Sequence, residues 1–212
     1  MKLSQRYLHT FRAAMLAIVL LTVSAAHAQE IYRMESEPAA AQLRTNGLFD
    51  LALCPNIGFE IQTDIGIGFQ LDYTGAWWNS HARNRYYSNY GLQTELRYYF
   101  GHKGQQMPYT KHHAGAYFQM LTYDFEFGGK GYQSRDLDMT VGFGLSYGYV
   151  IPLNKHFSFD MTVGIGYFSS KYYLYEPYGD WYRATNYKRM RFFGPTKLEA
   201  TLVWNLNKRN NK

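Results

Sequence analysis

From about residue 56 to residue 206 the chain alternates between a large apolar side chain and a small or polar one. In "IGIGFQLDYTGAWW", Ile65, Ile67, Phe69, Leu71, Tyr73 and Trp77 share one parity, and Gly66, Gly68, Gln70, Asp72, Thr74 and Ala76 the other. The pentapeptide Asp-Met-Thr-Val-Gly occurs twice, opening "DMTVGFGLSYGYV" at Asp138 and "DMTVGIGYFSSKY" at Asp160. Each copy sets Met, Val and larger apolar residues against Asp, Thr and Gly. A sustained period of two means strands with one apolar and one small-or-polar face. "GFGLSYG" and "GIGIGF" superficially resemble phosphate-binding loops, but such a loop must open a helix. Here the alternation runs straight through the glycines, so the two copies read as neighbouring walls of one sheet.

Which face meets solvent decides the class. A soluble, lipocalin-like barrel would carry its apolar face inside. Here the polar face is mostly Gly, Ser and Thr with single charges, which suits a narrow lumen. The apolar face is bulky and ends in Tyr and Trp, as lipid-facing strands do at the membrane boundaries. The 21 Tyr, 14 Phe and 4 Trp coexist with a mean hydropathy of −0.41, the balance expected where every strand is half polar. No run after the N-terminus reaches the roughly 18 apolar residues of a spanning helix. That N-terminus, "MKLSQRYLHTFRAAMLAIVLLTVSAAHA", has a basic start, an apolar run and Ala26-His27-Ala28 as a small-x-small cleavage site. It reads as a secretory signal peptide over 1–28. Lys2, Arg6 and Arg12 fall within it, so the whole-chain charge of +6 drops nearer +3 after cleavage. That weak balance gives no basis for nucleic-acid binding. Cys54 is the only cysteine, so no internal disulfide forms; "LALC" lies too far from the signal's apolar core to serve as a lipidation box.

Seven segments are plain, at about 56–63, 65–78, 88–100, 112–127, 136–151, 157–173 and 187–206. Tight turns ("QTDI", "IPLNKH") and a moderate one ("GHKGQQMPYTK") alternate with longer, Tyr- and Arg-rich connections, as periplasmic turns alternate with external loops. Single-chain bacterial barrels have even strand numbers, so an eighth strand is needed first. "NGLFDLALC" is the candidate, with Cys54-Pro55-Asn56 as an external turn. The expectation is an all-β, antiparallel, up-and-down, eight-stranded transmembrane β-barrel of the small OmpA/OmpX-like kind. It spans 45–207, after a flexible periplasmic lead-in (29–44) and before a short tail (208–212). The predicted location is the bacterial outer membrane, as a monomer in contact with lipid, including lipopolysaccharide.

By parity Asp50, Glu60, Asp72, Glu95, Arg97, Asp138, Asp160, Arg191, Lys197 and Glu199 point inward. Buried charges persist when paired, so a salt-bridge network filling the lumen is expected. The alternative is a proton or ion path; eight strands leave an interior just wide enough for side chains, which favours the plug. Strand 112–127 is less tidy: Gln119 interrupts the apolar phase if Asp124 and Glu126 face inward. Arg83, Arg85 and Tyr86 in "HARNRYY", and Trp181, Tyr182 and Arg183 in "YEPYGDWYRATNYKRMR", are candidate external binding residues, since Tyr, Trp and Arg favour interfaces. His81, His102, His112, His113 and His156 have no Ser or acid at a persuasive catalytic spacing. The adjacent pair His112-His113 reads as a solvated strand edge. No catalytic residue, metal or cofactor is expected; the competing reading is an outer-membrane enzyme acting on lipid or peptide at the external rim.

The pieces "TNGLFDLAL", "PNIGFE", "ELRYYF", "GFGLSYGY", "GIGY" and "FGPTK", in that order over most of the mature chain, resemble a family of small outer-membrane barrels of Bacteroidota catalogued as a domain of unknown function. Gly47 and Cys54 depart from its usual bulky apolar residue and Thr or Val. Members are often encoded near fimbrial genes, so the resemblance implies a partner among fimbrial or other surface proteins. It brings no catalytic residues.

Overall fold

The computed structural model describes residues 39–80, 85–103, 105, 107–127, 129–134, 139–178 and 181–206. The segment expected to be a signal peptide (1–28), residues 29–38 of the expected lead-in and the tail 208–212 lie outside the described residues. The fold is an all-β antiparallel sheet of nine strands. They are β1 (Ala40–Asn46), β2 (Asn56–Gln62), β3 (Ile67–Ser80), β4 (Arg85–Tyr99), β5 (Lys111–Phe127), β6 (Gly131–Ser134), β7 (Thr140–Pro152), β8 (Phe157–Tyr178) and β9 (Trp181–Asn205). A short helix, α1 (Gly47–Leu51), lies between β1 and β2. Successive strands pair, and β9 returns to β1 over Gln42–Asn46, so eight strands form a closed ring. The ninth, β6, bridges β5 and β8 beyond the end of β7. No helix among the described residues is long and apolar enough to cross a membrane, which says nothing about strands.

The first strand is not the expected one. Ala40–Arg44, assigned to a flexible lead-in, belong to β1, with Gln42, Arg44 and Asn46 turned inward and buried. "GLFDL" instead forms α1. Asn46 caps it by accepting a hydrogen bond from the Leu48 N–H, the usual role of Asn at a helix start. The expected long loop 174–188 is a hairpin: β8 runs to Tyr178 and β9 starts at Trp181. Cross-strand rings such as Tyr173 and Tyr187, 5.5 Å apart, extend the pairing.

Over most of the ring the apolar face is outside. Leu71, Phe143 and Val163 are 41, 57 and 55 % exposed, whereas Glu60 and Asp160 are fully buried. The compact apolar cluster is small: Tyr99, Tyr109 and Val150, with Met107 against it. It sits at the short-turn end, where Tyr109 donates its backbone N–H to Gln62 (2.7 Å) and its hydroxyl to the Asp64 carbonyl (2.9 Å). The β4–β5 connection thus folds under the ring and closes it.

Toward the other end the two faces exchange character. A register shift at Gly164/Ile165 leaves Thr196 as an extra residue in β9, since Gly164 pairs with Lys197 but Ile165 with Pro195. A bulge of one residue turns every side chain beyond it to the opposite face. Beyond Thr196, Phe193, Arg191 and Arg189 accompany the outward Tyr167, Ser169 and Lys171, while Phe192 and Met190 accompany the inward Phe168 and Ser170. On β5 the regular pairing with β4 sets Leu121, Tyr123 and Phe125 on the face of Tyr117, and Asp124 and Glu126 on the face of Phe118, where Glu126 is nonetheless only 2 % exposed. Gln119 therefore does not break the phase. The polarity of the two faces reverses above it.

Candidate functional site

The ring interior holds one connected set of acidic and basic side chains. Arg44 of β1 donates to Glu60 of β2, and its second nitrogen reaches Asp160 of β8 at 2.7 Å. Arg97 of β4 lies at the centre: it is 2.7 Å from Asp160, 3.2 Å from Glu95, 3.4 Å from Glu60 and 3.7 Å from Glu199. Lys197 of β9 donates to Glu95, lies 3.2 Å from Glu199 and stands over the Tyr117 ring at 5.4 Å. Neutral donors take up further carboxylate lone pairs. Tyr99 donates to Glu60 and Ser146 to Glu95, Thr162 donates to Asp160 at 3.1 Å, and Gln93 donates to Glu199 at 2.7 Å. His113 Nε2 is 3.0 Å from Asp160. Side chains of Arg44, Glu60, Glu95, Arg97, Asp160 and Lys197 are at most 1 % exposed. Such burial is sustained only because each charge has more than one partner; losing one partner costs about 3–5 kcal/mol.

Glycine supplies the room. A Cβ on Gly144 would sit 2.3 Å from the Ile165 carbonyl oxygen and 2.5 Å from the Tyr117 hydroxyl, and one on Gly166 2.3 Å from the Phe143 carbonyl oxygen. Gly144 and Gly166 face each other across β7 and β8, so the Tyr117 ring, whose hydroxyl bonds Thr196, lies across that wall. At Gly148 a Cβ would meet His113 at 2.4 Å. The glycine-rich parity of the repeated segments is the smooth wall against which the interior side chains of β5, with Lys197 of β9, pack.

Of the predicted inward charges, Glu60, Glu95, Arg97, Asp160, Lys197 and Glu199 meet in this network. Asp72 faces inward at its edge, accepting hydrogen bonds from Gln70 and, at 3.4 Å, from Gln93. Asp50 does not face inward. It lies in α1, where its carboxylate accepts from Thr45 (2.7 Å) and Asn56 (2.9 Å). Arg191 is exposed on the outer face, because the extra residue at Thr196 reverses its parity. Asp138 lies outside the described residues, as does Arg83. Of the candidate loop residues, Arg85 and Arg183 are exposed on β4 and β9 and Tyr86 is half-buried; Trp181 and Tyr182 open β9.

Two members were not anticipated. Arg44 was hidden in a segment without alternation. His113, read as a solvated edge, is fully buried, and the parity it shares with Gly115 and Tyr117 was the available signal. His112 is indeed exposed and stacks near Tyr147, whose hydroxyl is 2.6 Å from its Nδ1. Among the described residues no group of three or more His, Cys, Asp or Glu side chains has the geometry of a metal site.

No curated protein and no solved structure matches the chain. Residues 14–206 match the family described as "Protein of unknown function (DUF3575)". From near the N-terminus to the last strand, the chain belongs to that family.

Proposed function

We propose that this protein is an eight-stranded transmembrane β-barrel of the bacterial outer membrane, with a lumen plugged by its own side chains and a structural, surface-interacting role without catalysis. The observation that carries this reading is the inverted distribution of polarity: ions in the centre and exposed apolar side chains around the girth. Water favours the opposite arrangement, since each large apolar side chain removed from it is worth about 1.5–3 kcal/mol; hydrocarbon around the ring removes the conflict. The apolar belt has a fitting height. From Phe157 to Tyr167 the outward residues of β8 are apolar, a run of about 33 Å along the strand, or about 25 Å at the usual barrel tilt.

Just beyond the belt, Arg189 and Arg191 lie on the same outer face of β9. Like charges set side by side repel, and anionic lipid headgroups, such as lipopolysaccharide phosphates, would neutralise them. The network supports a plug rather than a path, because its ions are paired with each other and closed off below by Tyr99 and Tyr109. It also weighs against an enzyme, since the His113–Asp160 pair is buried out of reach of substrate. In the belt every strand finds both neighbours within this chain, which suits a monomer. The β8–β9 hairpin, standing beyond the other strands, is the surface offered to a partner, and surface-fibre proteins are the partner class implied by the family resemblance.

The test is fractionation. The mature chain should require detergent for release from envelopes and migrate differently on gels before and after boiling. Release by salt or alkali alone would overturn the proposal. Fimbrial subunits applied to the folded protein should be retained, and retention should fall when residues 174–188 are replaced by a two-residue turn; equal retention removes the hairpin from the partner reading.

A further inference from the structure

β8 and β9 form one hairpin, yet their exposure differs. From Tyr167 to Tyr175 every residue of β8 is buried or half-buried, whereas every residue of β9 from Arg183 to Phe193 is exposed, whichever face its side chain takes. The difference lies in the neighbours. β8 is flanked by β9 on one side and by β7, then β6, on the other. β9 pairs with β1 only from Asn205 to Thr201, and beyond that no strand among the described residues pairs with its second edge.

In an antiparallel ladder alternate residues turn both N–H and C=O away from the partner strand. The stretch from Lys188 to Phe193 therefore presents open donors and acceptors along that edge. Helix α1 meets β9 lower down, where a Cβ on Gly47 would lie 3.3 Å from the Ala200 carbonyl oxygen. The loop after α1 leans toward the opposite rim: the Trp78 indole donates to the Leu53 carbonyl at 2.6 Å, and Cys54 Sγ lies 2.8 Å from the Tyr87 hydroxyl. β1 and β2 reach only to Asn46 and Asn56, while β3 and β9 continue. The wall is two strands short there, which is room for an added one.

The two faces of this stretch define what fits. Arg189 and Arg191 lie on the outer face and pair with no carboxylate among the described residues. Met190 and Phe192, on the inner face, stay 41 and 44 % exposed. Met190 also lines an open hollow with Leu121 and Tyr123 of β5 and Phe168 and Tyr172 of β8. Residues paired across an edge share a face. A second copy of β9 would crowd cation against cation, which blunts self-association. Lipid headgroups would answer the outer charges but neither the open backbone nor the inner apolar side chains. An extended chain alternating acidic and apolar residues answers all three.

We propose that the free edge of β9 from Lys188 to Phe193 takes up an extended segment of another protein as an added strand, with acidic side chains beside Arg189 and Arg191 and apolar ones beside Met190 and Phe192. Main-chain hydrogen bonds supply the affinity and the alternating side chains the choice of partner. Pro195 ends the site below, since proline has no N–H to offer. The proposal rests on the surface-partner role of the hairpin given above and names its mode and chemistry.

The test uses the folded mature chain in lipid nanodiscs and a dye-labelled, end-capped peptide of alternating Glu and Val, read by fluorescence anisotropy with empty nanodiscs subtracted. Saturable binding, one peptide per chain, is expected. The same peptide N-methylated along its backbone keeps the charges, loses the donors and should not bind; nor should a peptide of alternating Lys and Val. Arg189→Glu together with Arg191→Glu should weaken the Glu peptide about tenfold and admit the Lys peptide. Arg191→Glu alone serves if the double variant loses its gel shift on boiling. Equal binding of the N-methylated peptide means that charge alone is read, as by a lipid headgroup, and overturns strand addition. Absence of saturable binding, or unchanged affinity in the folded Glu variants, overturns the site. Failure here leaves the fractionation result standing, and peptide binding without retention of fimbrial subunits upholds the edge while removing that partner class.

Discussion

β8 and β9 each pass through two environments, and the comparison of their two halves is instructive. Toward the short turns, Met161, Val163 and Ile165 face out while Asp160, Thr162 and Gly164 face in, against Lys197 and Glu199. Toward the hairpin, Ser169 and Lys171 face out with Arg189 and Arg191, while Phe168, Tyr172 and Met190 face in. The backbone pattern is the same antiparallel ladder throughout. What changes is which face carries the apolar side chains. The ladder therefore does not set which face of this molecule is apolar; the side chains placed along it do.

Substitutions at matched positions should break or sharpen that contrast. The largest effect is expected from Arg97→Met, which leaves Glu60, Glu95 and Asp160 short of a partner: about 3–5 kcal/mol lost, read by denaturant unfolding from vesicles. Removing an inward aromatic of the hairpin end, Phe168→Ala, should cost less than that, because its cavity is already open. Val163→Arg, on the belt, should cost about 2–4 kcal/mol in the same assay, whereas Ser169→Arg, three strand steps' reach beyond it on the same outer face, should cost about 0–1 kcal/mol. Equal costs would mean that the belt and the collar meet the same medium. Gly144→Ala should cost about 1–3 kcal/mol by overpacking. Gly91→Ala, where an added Cβ finds its nearest neighbours at 3.5 Å, should stay within about 0.5 kcal/mol. The smallest effect is expected from the pair Arg189→Gln and Arg191→Gln: each should weaken association with anionic vesicles by about 1 kcal/mol, with unfolding unchanged.

Much of this architecture was legible in the sequence because a two-residue period survives wherever one face is apolar. The seven plain segments all contain strands, and seven of the inward charges, Asp72 included, follow from parity alone. Three kinds of information were not carried by that period. β1 has weak outward residues, Ala41, Leu43 and Thr45, so its alternation is invisible until Arg44 is seen meeting Glu60 and Asp160. "GLFDL" is apolar enough to pass for a strand, although Asn46 before it and Asp50 within it are helix-start signals. Arg191 was misplaced because parity was counted through Thr196 without the extra residue there. The length of "LYEPYGDWYRATNYK" and its Tyr and Arg suggest an external loop, yet most of it is held in the β8–β9 ladder.

The junction of β1 with β9 spans only Gln42 to Asn46, as short as the pairing of β1 with β2, while β8 and β9 run together from Phe157 to Tyr178. So brief a seam has little hydrogen bonding of its own to keep the two chain ends together. Arg44, on the first strand, clasps Glu60 on one side and Asp160 across the interior on the other. The strand that closes the ring thus also carries the cation that Glu60 and Asp160 share, so loosening the β1–β9 seam would leave both carboxylates with one partner fewer.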